Sequence, residues 1–167
     1  MKKSYILLFL CTIIFFTSCL EHRVYDHYEH TPLSGWEKND SLFFNIPSLA
    51  ETDNYNINLG LRINSTYPFQ AITLIIKQTV YPGGNRNKKT GFSAGRLEKT
   101  YIDTLNCRLT NKNGRIEGRG IGSFQYHFPV TRIQLNKGDS IHICISHNMK
   151  QEILPGISDI GIEYVKE

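Results

Sequence analysis

Tyr55-Asn56-Ile57-Asn58-Leu59-Gly60-Leu61-Arg62-Ile63-Asn64 alternates between apolar side chains and polar or small ones. Tyr55, Ile57, Leu59, Leu61 and Ile63 fall on one side, and Asn56, Asn58, Gly60, Arg62 and Asn64 on the other. Successive side chains of a strand point to opposite faces, so this period of two predicts a strand with one packed face and one wet face. That single stretch sets the fold class.

The neighbouring segments agree with it. Residues 65–69 turn the chain into residues 71–81, which are rich enough in β-branched side chains to predict a central strand. Residues 97–109 place Tyr101, Leu105, Cys107 and Leu109 on one face. Residues 110–115 are a turn, and residues 123–130 and 132–135 are again strand-like. Beyond the turn at 136–139, Ile141, Ile143 and Ile145 alternate with His142, Cys144 and Ser146. Residues 148–156 read as a helical turn, and residues 157–165 as the last strand. Upstream, residues 41–47 form a short strand stopped by Pro47. The Gly- and Pro-punctuated connector before it places Trp36, the chain's sole tryptophan, at an edge of the core. No sustained helical repeat is present. Short strands separated by turn signals predict an all-β fold, an antiparallel β-sandwich of jelly-roll or immunoglobulin-like topology.

The N-terminus sets the location. Lys2 and Lys3 precede an apolar run of about a dozen residues from Tyr5 to Phe16, of signal-peptide length and short of the ~20 residues of a membrane-spanning helix. Phe16-Thr17-Ser18-Cys19 then looks like a bacterial lipobox. The expectation is a signal peptide over residues 1–18, lipidation of Cys19, and a single lipid-anchored domain over residues 19–167. Each buried methylene adds ~0.8 kcal/mol of membrane affinity, so several acyl chains anchor the protein almost irreversibly. The residues after Cys19 carry no acidic cluster, which favours the periplasmic face of the outer membrane.

Composition excludes some classes. The formal charge of +4 falls to about +2 once the two signal lysines leave, too little to argue for nucleic acid. Cys107 and Cys144 remain after processing; an oxidising envelope compartment allows one disulfide between them, and strand parity, which points them into different environments, leans mildly against it.

His22, His27 and His30 lie on a segment with no helical pattern to hold three ligands together, so they read as solvated residues and not a metal site. The basic, glycine-rich loop over residues 82–91 lacks the spacing of a phosphate loop. It reads as a hairpin loop, with contact to anionic lipid heads or an acidic partner as the sharper alternative. Gly118, Gly120 and Gly122 suggest a dinucleotide fingerprint only superficially, because no helix follows; a bulge or close sheet contact fits better. G-x-S-x-G is absent, and Cys144 and His147 point to opposite faces of their strand. No catalytic residues and no cofactor beyond the covalent lipid are assigned, and an enzyme is not expected.

The ordered landmarks resemble a known family. The lipobox, Gly35-Trp36-Glu37-Lys38-Asn39-Asp40-Ser41-Leu42-Phe43-Phe44, and Leu59-Gly60-Leu61-Arg62-Ile63-Asn64 leading into Tyr67-Pro68-Phe69 are similar to the gliding-motility lipoprotein GldH family of Bacteroidota. Gly118-Arg119-Gly120-Ile121-Gly122, Met149-Lys150 and Leu154-Pro155-Gly156-Ile157-Ser158-Asp159-Ile160-Gly161 continue the pattern. The resemblance implies an envelope lipoprotein needed for gliding, with the gliding and type IX secretion proteins as partners. It carries over no catalytic residue, and Cys19 alone as a functional one. Trp36, Arg62 and Tyr67 match family-like positions and are candidates for partner contact. The competing reading is a lipid-anchored carbohydrate- or small-ligand-binding module, which an exposed row of aromatic residues would favour. A hydrolase ranks last.

Overall fold

The computed structural model describes residues 22–83 and 97–167, and every regular element within them is a strand. In chain order these are β1 Arg23–His30, β2 Trp36–Glu37, β3 Leu42–Ile46, β4 Asp53–Asn64, β5 Ala71–Tyr81, β6 Lys99–Arg108, β7 Ser123–Leu135, β8 Ser140–His147, β9 Ile153–Leu154 and β10 Ile157–Lys166. They form a first sheet of order β1-β10-β4-β7, a second of order β3-β8-β5-β6, and a small ribbon of β2 with β9. All pairings are antiparallel.

The strand order chooses between the two predicted topologies. Setting β2 and β9 aside, the first long strand pairs with the last, and the second with the second last. The third then pairs with the sixth, and the fourth with the fifth, successive pairs alternating between the two sheets. A long antiparallel ribbon rolled over on itself gives this order, which is the jelly roll. The immunoglobulin-like alternative is thereby set aside.

Between the sheets, the odd-numbered face of β4 packs as its alternation predicts. Leu59 stands opposite Ile162, Leu61 opposite Ile160 and Ile57 opposite Tyr164, all buried. Facing them are Ile72, Leu74 and Ile76 of β5 and Ile141, Ile143 and Ile145 of β8. Each such side chain contributes about 1.5–3 kcal/mol on removal from water.

Some segments differ from their sequence reading. Trp36 is not at the rim: it is fully buried, with Nε1 donating to the Asp40 carbonyl at 3.2 Å. Residues 148–156 form no helical turn, because β9 pairs with β2 and closes a lid over Trp36. Residues 123–135 are one strand, not two. Pro129 and Val130 sit where its register with β4 slips, and β7 is a sheet edge, where a proline deprives no ladder of its donor. Tyr101 lies far enough out on the edge strand β6 to remain exposed. Cys107 is buried and Cys144 half-buried on the opposite side of the second sheet, and both are free thiols. Gly118, Gly120 and Gly122 lie in the loop before β7, where Gly118 faces the Tyr126 ring. Cys19, the signal segment and most of the basic loop lie outside the described residues.

Candidate functional site

Arg62 leads to a polar surface built from several strands of the first sheet. It projects from the outer, solvent-facing side of the first sheet, in the polar register of β4. Tyr28 on β1, Gly161 on β10 and Gly60 on β4 stand in one cross-strand row of that face. The Tyr28 ring lies down over the two glycines. A Cβ added to Gly161 would meet its Cε1 at 2.6 Å, so only glycine gives the ring a floor. The Arg62 guanidinium sits 4.1 Å from the ring centroid, on the ring face. Burial raises the Tyr28 phenol above its ordinary value, and the nearby Arg62 pulls partly the other way.

Around this stack runs a groove of about 290 Å³ lined mainly by polar groups. Gln125 Nε2 donates to the Tyr28 hydroxyl at 3.2 Å and to His127 Nε2 at 2.9 Å. Glu163 receives Arg23 Nε at 2.9 Å and Asn58 Nδ2 at 3.0 Å. Arg23 also reaches Asp26. At the far side Asp159 lies between His30 and Arg62, with Arg62 Nη1 at 4.0 Å from Oδ2. Several of these side chains are partly exposed, so water screens the pairs and each adds little stability. Their effect is geometric, holding the polar side chains in place before anything binds. No serine, threonine or cysteine lines the groove, and its carboxylates are already engaged by arginine. The chemistry it offers is recognition through planar amide, guanidinium and carboxylate groups.

The three residues proposed from sequence do not converge. Trp36 packs edge-on against His147, with ring centroids 5.3 Å apart, and its buried side chain cannot reach a partner. Arg62 belongs to the groove just described. Tyr67 is buried near the β4–β5 turn and donates from its hydroxyl to the Ala71 carbonyl at 3.0 Å. Gly60 and Gly161 were missed, although glycine at an outward strand position is a signal of close approach that could have marked them. Gln125 and Glu163 gave no such signal.

Among the described residues the aromatic side chains do not make the exposed row that a glycan-binding face would use. Tyr55, Tyr67, Tyr126 and Tyr164 are buried. Tyr28 is covered by Arg62, and exposed Phe43 is stacked on His142 at 5.7 Å. Among the described residues no group of three or more histidine, cysteine or carboxylate side chains comes together as a metal site.

Comparison with known proteins gives a consistent result. The chain is 28% identical to the gliding motility lipoprotein GldH of Flavobacterium johnsoniae, covering 96% of this chain and 94% of that protein. It is 25% identical to the GldH homolog of Christiangramia forsetii, with the same coverage. Among solved structures, a protein from Sulfurospirillum deleyianum is 13% identical and superposes with a TM-score of 0.42, covering 86% of this chain and 98% of that one. The family model described as GldH lipoprotein matches residues 23–164, nearly the whole of the described sandwich, and the chain therefore belongs to the GldH lipoprotein family.

Proposed function

We propose that this protein is an envelope lipoprotein required for gliding motility, acting beside the type IX secretion machinery through protein–protein contacts and not by catalysis. The observation that carries the reading is the end-to-end correspondence with relatives named for gliding motility. The groove around Arg62 supports the non-catalytic part, because its charged side chains already engage one another. Acylated Cys19 anchors the chain just before β1, on the periplasmic face of the outer membrane.

The test is a deletion strain complemented with wild type or Cys19→Ala, scored for colony spreading and for release of type IX cargo. The expected result is loss of spreading on deletion, rescued by wild type and poorly by Cys19→Ala. Normal spreading and normal secretion in the deletion strain would overturn the proposal. A glycan-array screen of the protein would then be the next measurement.

A further inference from the structure

The sandwich has two unlike ends. At one, β1 begins beside the close of β10, and Lys166 N donates to the His22 carbonyl. Cys19 immediately precedes this end in sequence. Among the cations here, Arg132 pairs with Glu167, and Lys166 with Glu51 and Asp53. The twelve residues of β4 run from it to the opposite end, a distance on the order of 35 Å.

At that opposite end an apolar groove of about 190 Å³ opens between the β4–β5 and β6–β7 loops. Tyr67, Pro68 and Phe69 line one side, and Leu109, Ile116 and Phe124 the other. The walls are held by specific bonds. Tyr126 Oη donates to the Leu109 carbonyl at 3.1 Å, Glu117 N donates to the same carbonyl, and Thr110 bridges Ile116. Asn111 Oδ1 accepts from the backbone of Asn113 and of Arg115, fixing the turn between them. Ile116 and Ile121 on this loop are exposed.

The segment that supplies Leu109, Thr110 and Ile116 to one wall is one-sided in charge, its cations next to the lining residues in sequence. Residues 108–122 carry Arg108, Lys112, Arg115 and Arg119 against the single carboxylate Glu117. None of these four cations makes an ion pair among the described residues. An apolar centre with a rim of unmatched charge is the make-up of a recognition surface, where the apolar part supplies affinity and the rim supplies steering.

We infer that this groove is the docking site for a protein segment that is acidic and carries an apolar side chain, offered by an envelope partner on the side away from the lipid anchor. Apolar walls fit an aliphatic or aromatic anchor residue, and the four free cations fit its flanking carboxylates. The inference rests on the reading of the protein as an accessory acting by protein contacts.

The test uses the full-length lipoprotein in cells, with the photo-crosslinker benzoylphenylalanine placed at Ile116 or Ile121. Phe43 and Ile102, exposed on the outer face of the second sheet, are the control positions. The expected result is a discrete protein adduct from the groove positions alone, with the crosslinked peptide rich in Asp and Glu. Lys112→Glu combined with Arg115→Glu and Arg119→Glu should lower its yield about tenfold, as rim charges govern encounter. The same reversal should reduce spreading while leaving the amount of anchored protein unchanged. An adduct to lipid or to a second copy of this chain, one from the control positions only, or no adduct would overturn the inference. So would a yield untouched by charge reversal. If the deletion strain spreads and secretes normally, the functional reading fails; if deletion abolishes spreading and the reversal does not disturb it, the groove assignment alone fails.

Discussion

The Tyr164 hydroxyl on β10 donates a hydrogen bond of 2.7 Å to Oε1 of Gln78 on β5, through the interior between the two sheets. Gln78 Nε2 continues to Asp103 of β6 at 3.3 Å, so a polar chain crosses an otherwise apolar core. Burial pushes the Tyr164 phenol far above its ordinary value, with the nearby Asp103 adding to it, so the ring is a fixed donor. Replacing Tyr164 by Phe strands the Gln78 acceptor and is expected to cost about 1–2 kcal/mol. Chemical denaturation of the two proteins side by side checks this; equal midpoints would mean that the bond adds nothing net.

Gly161→Ala places a methyl group against the middle of the Tyr28 ring. The ring must leave its floor and take Arg62 from its face, a loss of about 1–2 kcal/mol by overpacking. In a Tyr28→Ala background the same change has little left to clash with. A double-mutant cycle measured by thermal melting should therefore show strong coupling between the two positions, and simple additivity would contradict the packing described.

His147 is buried beneath the β2–β9 ribbon, with Nδ1 accepting from the backbone of Met149 at 3.4 Å. Burial lowers its pKa below the ordinary 6.5; the nearby Trp36 backbone opposes this, Lys38 reinforces it and Glu152 opposes it. A group whose folded-state pKa is depressed leaves stability intact above its unfolded value and loses it as protons are taken up below. Stability should thus fall as pH drops through 6.5 toward the lower folded-state value. His147→Gln cannot protonate, so the difference between its denaturation midpoints and those of wild type, followed from pH 8 to pH 5 (roughly the range where histidine titrates), isolates this contribution. A constant difference across that range would rule it out.

The two free cysteines among the described residues should behave unlike each other. Burial pushes the Cys107 thiol up to about 12, which leaves almost no thiolate at neutral pH, whereas Cys144 sits half-exposed beside Lys77 and Phe43. An aromatic disulfide reagent should label Cys144 in the native protein and Cys107 only after denaturant is added. Mass spectrometry of the labelled peptides distinguishes them, and rapid native labelling of Cys107 would argue against its burial.

Much of this protein is legible in its sequence. Residues 55–64 determined a strand, its buried face and its wet face, because the pleat forces a period of two on any half-buried strand. The same rule placed Cys107 inward and Cys144 outward without knowledge of their neighbours. Local pattern could not say which strand lies beside which, since a jelly roll and an immunoglobulin-like sandwich share the alternation and differ only in long-range pairing. Nor could it bury Trp36, whose cover comes from β9, more than a hundred residues away in sequence. Arg62 was visible as a lone cation on an outward strand position. Its ring partner Tyr28 arrives from β1 through a register that only the closed sheet defines. The groove at the far end likewise exists only because the roll brings the loop after β4 against the loop after β6. Side-chain pattern along one strand is a local property and was determined by the sequence; strand neighbours, and the surfaces built between loops, are set by the global packing that buries all those faces at once.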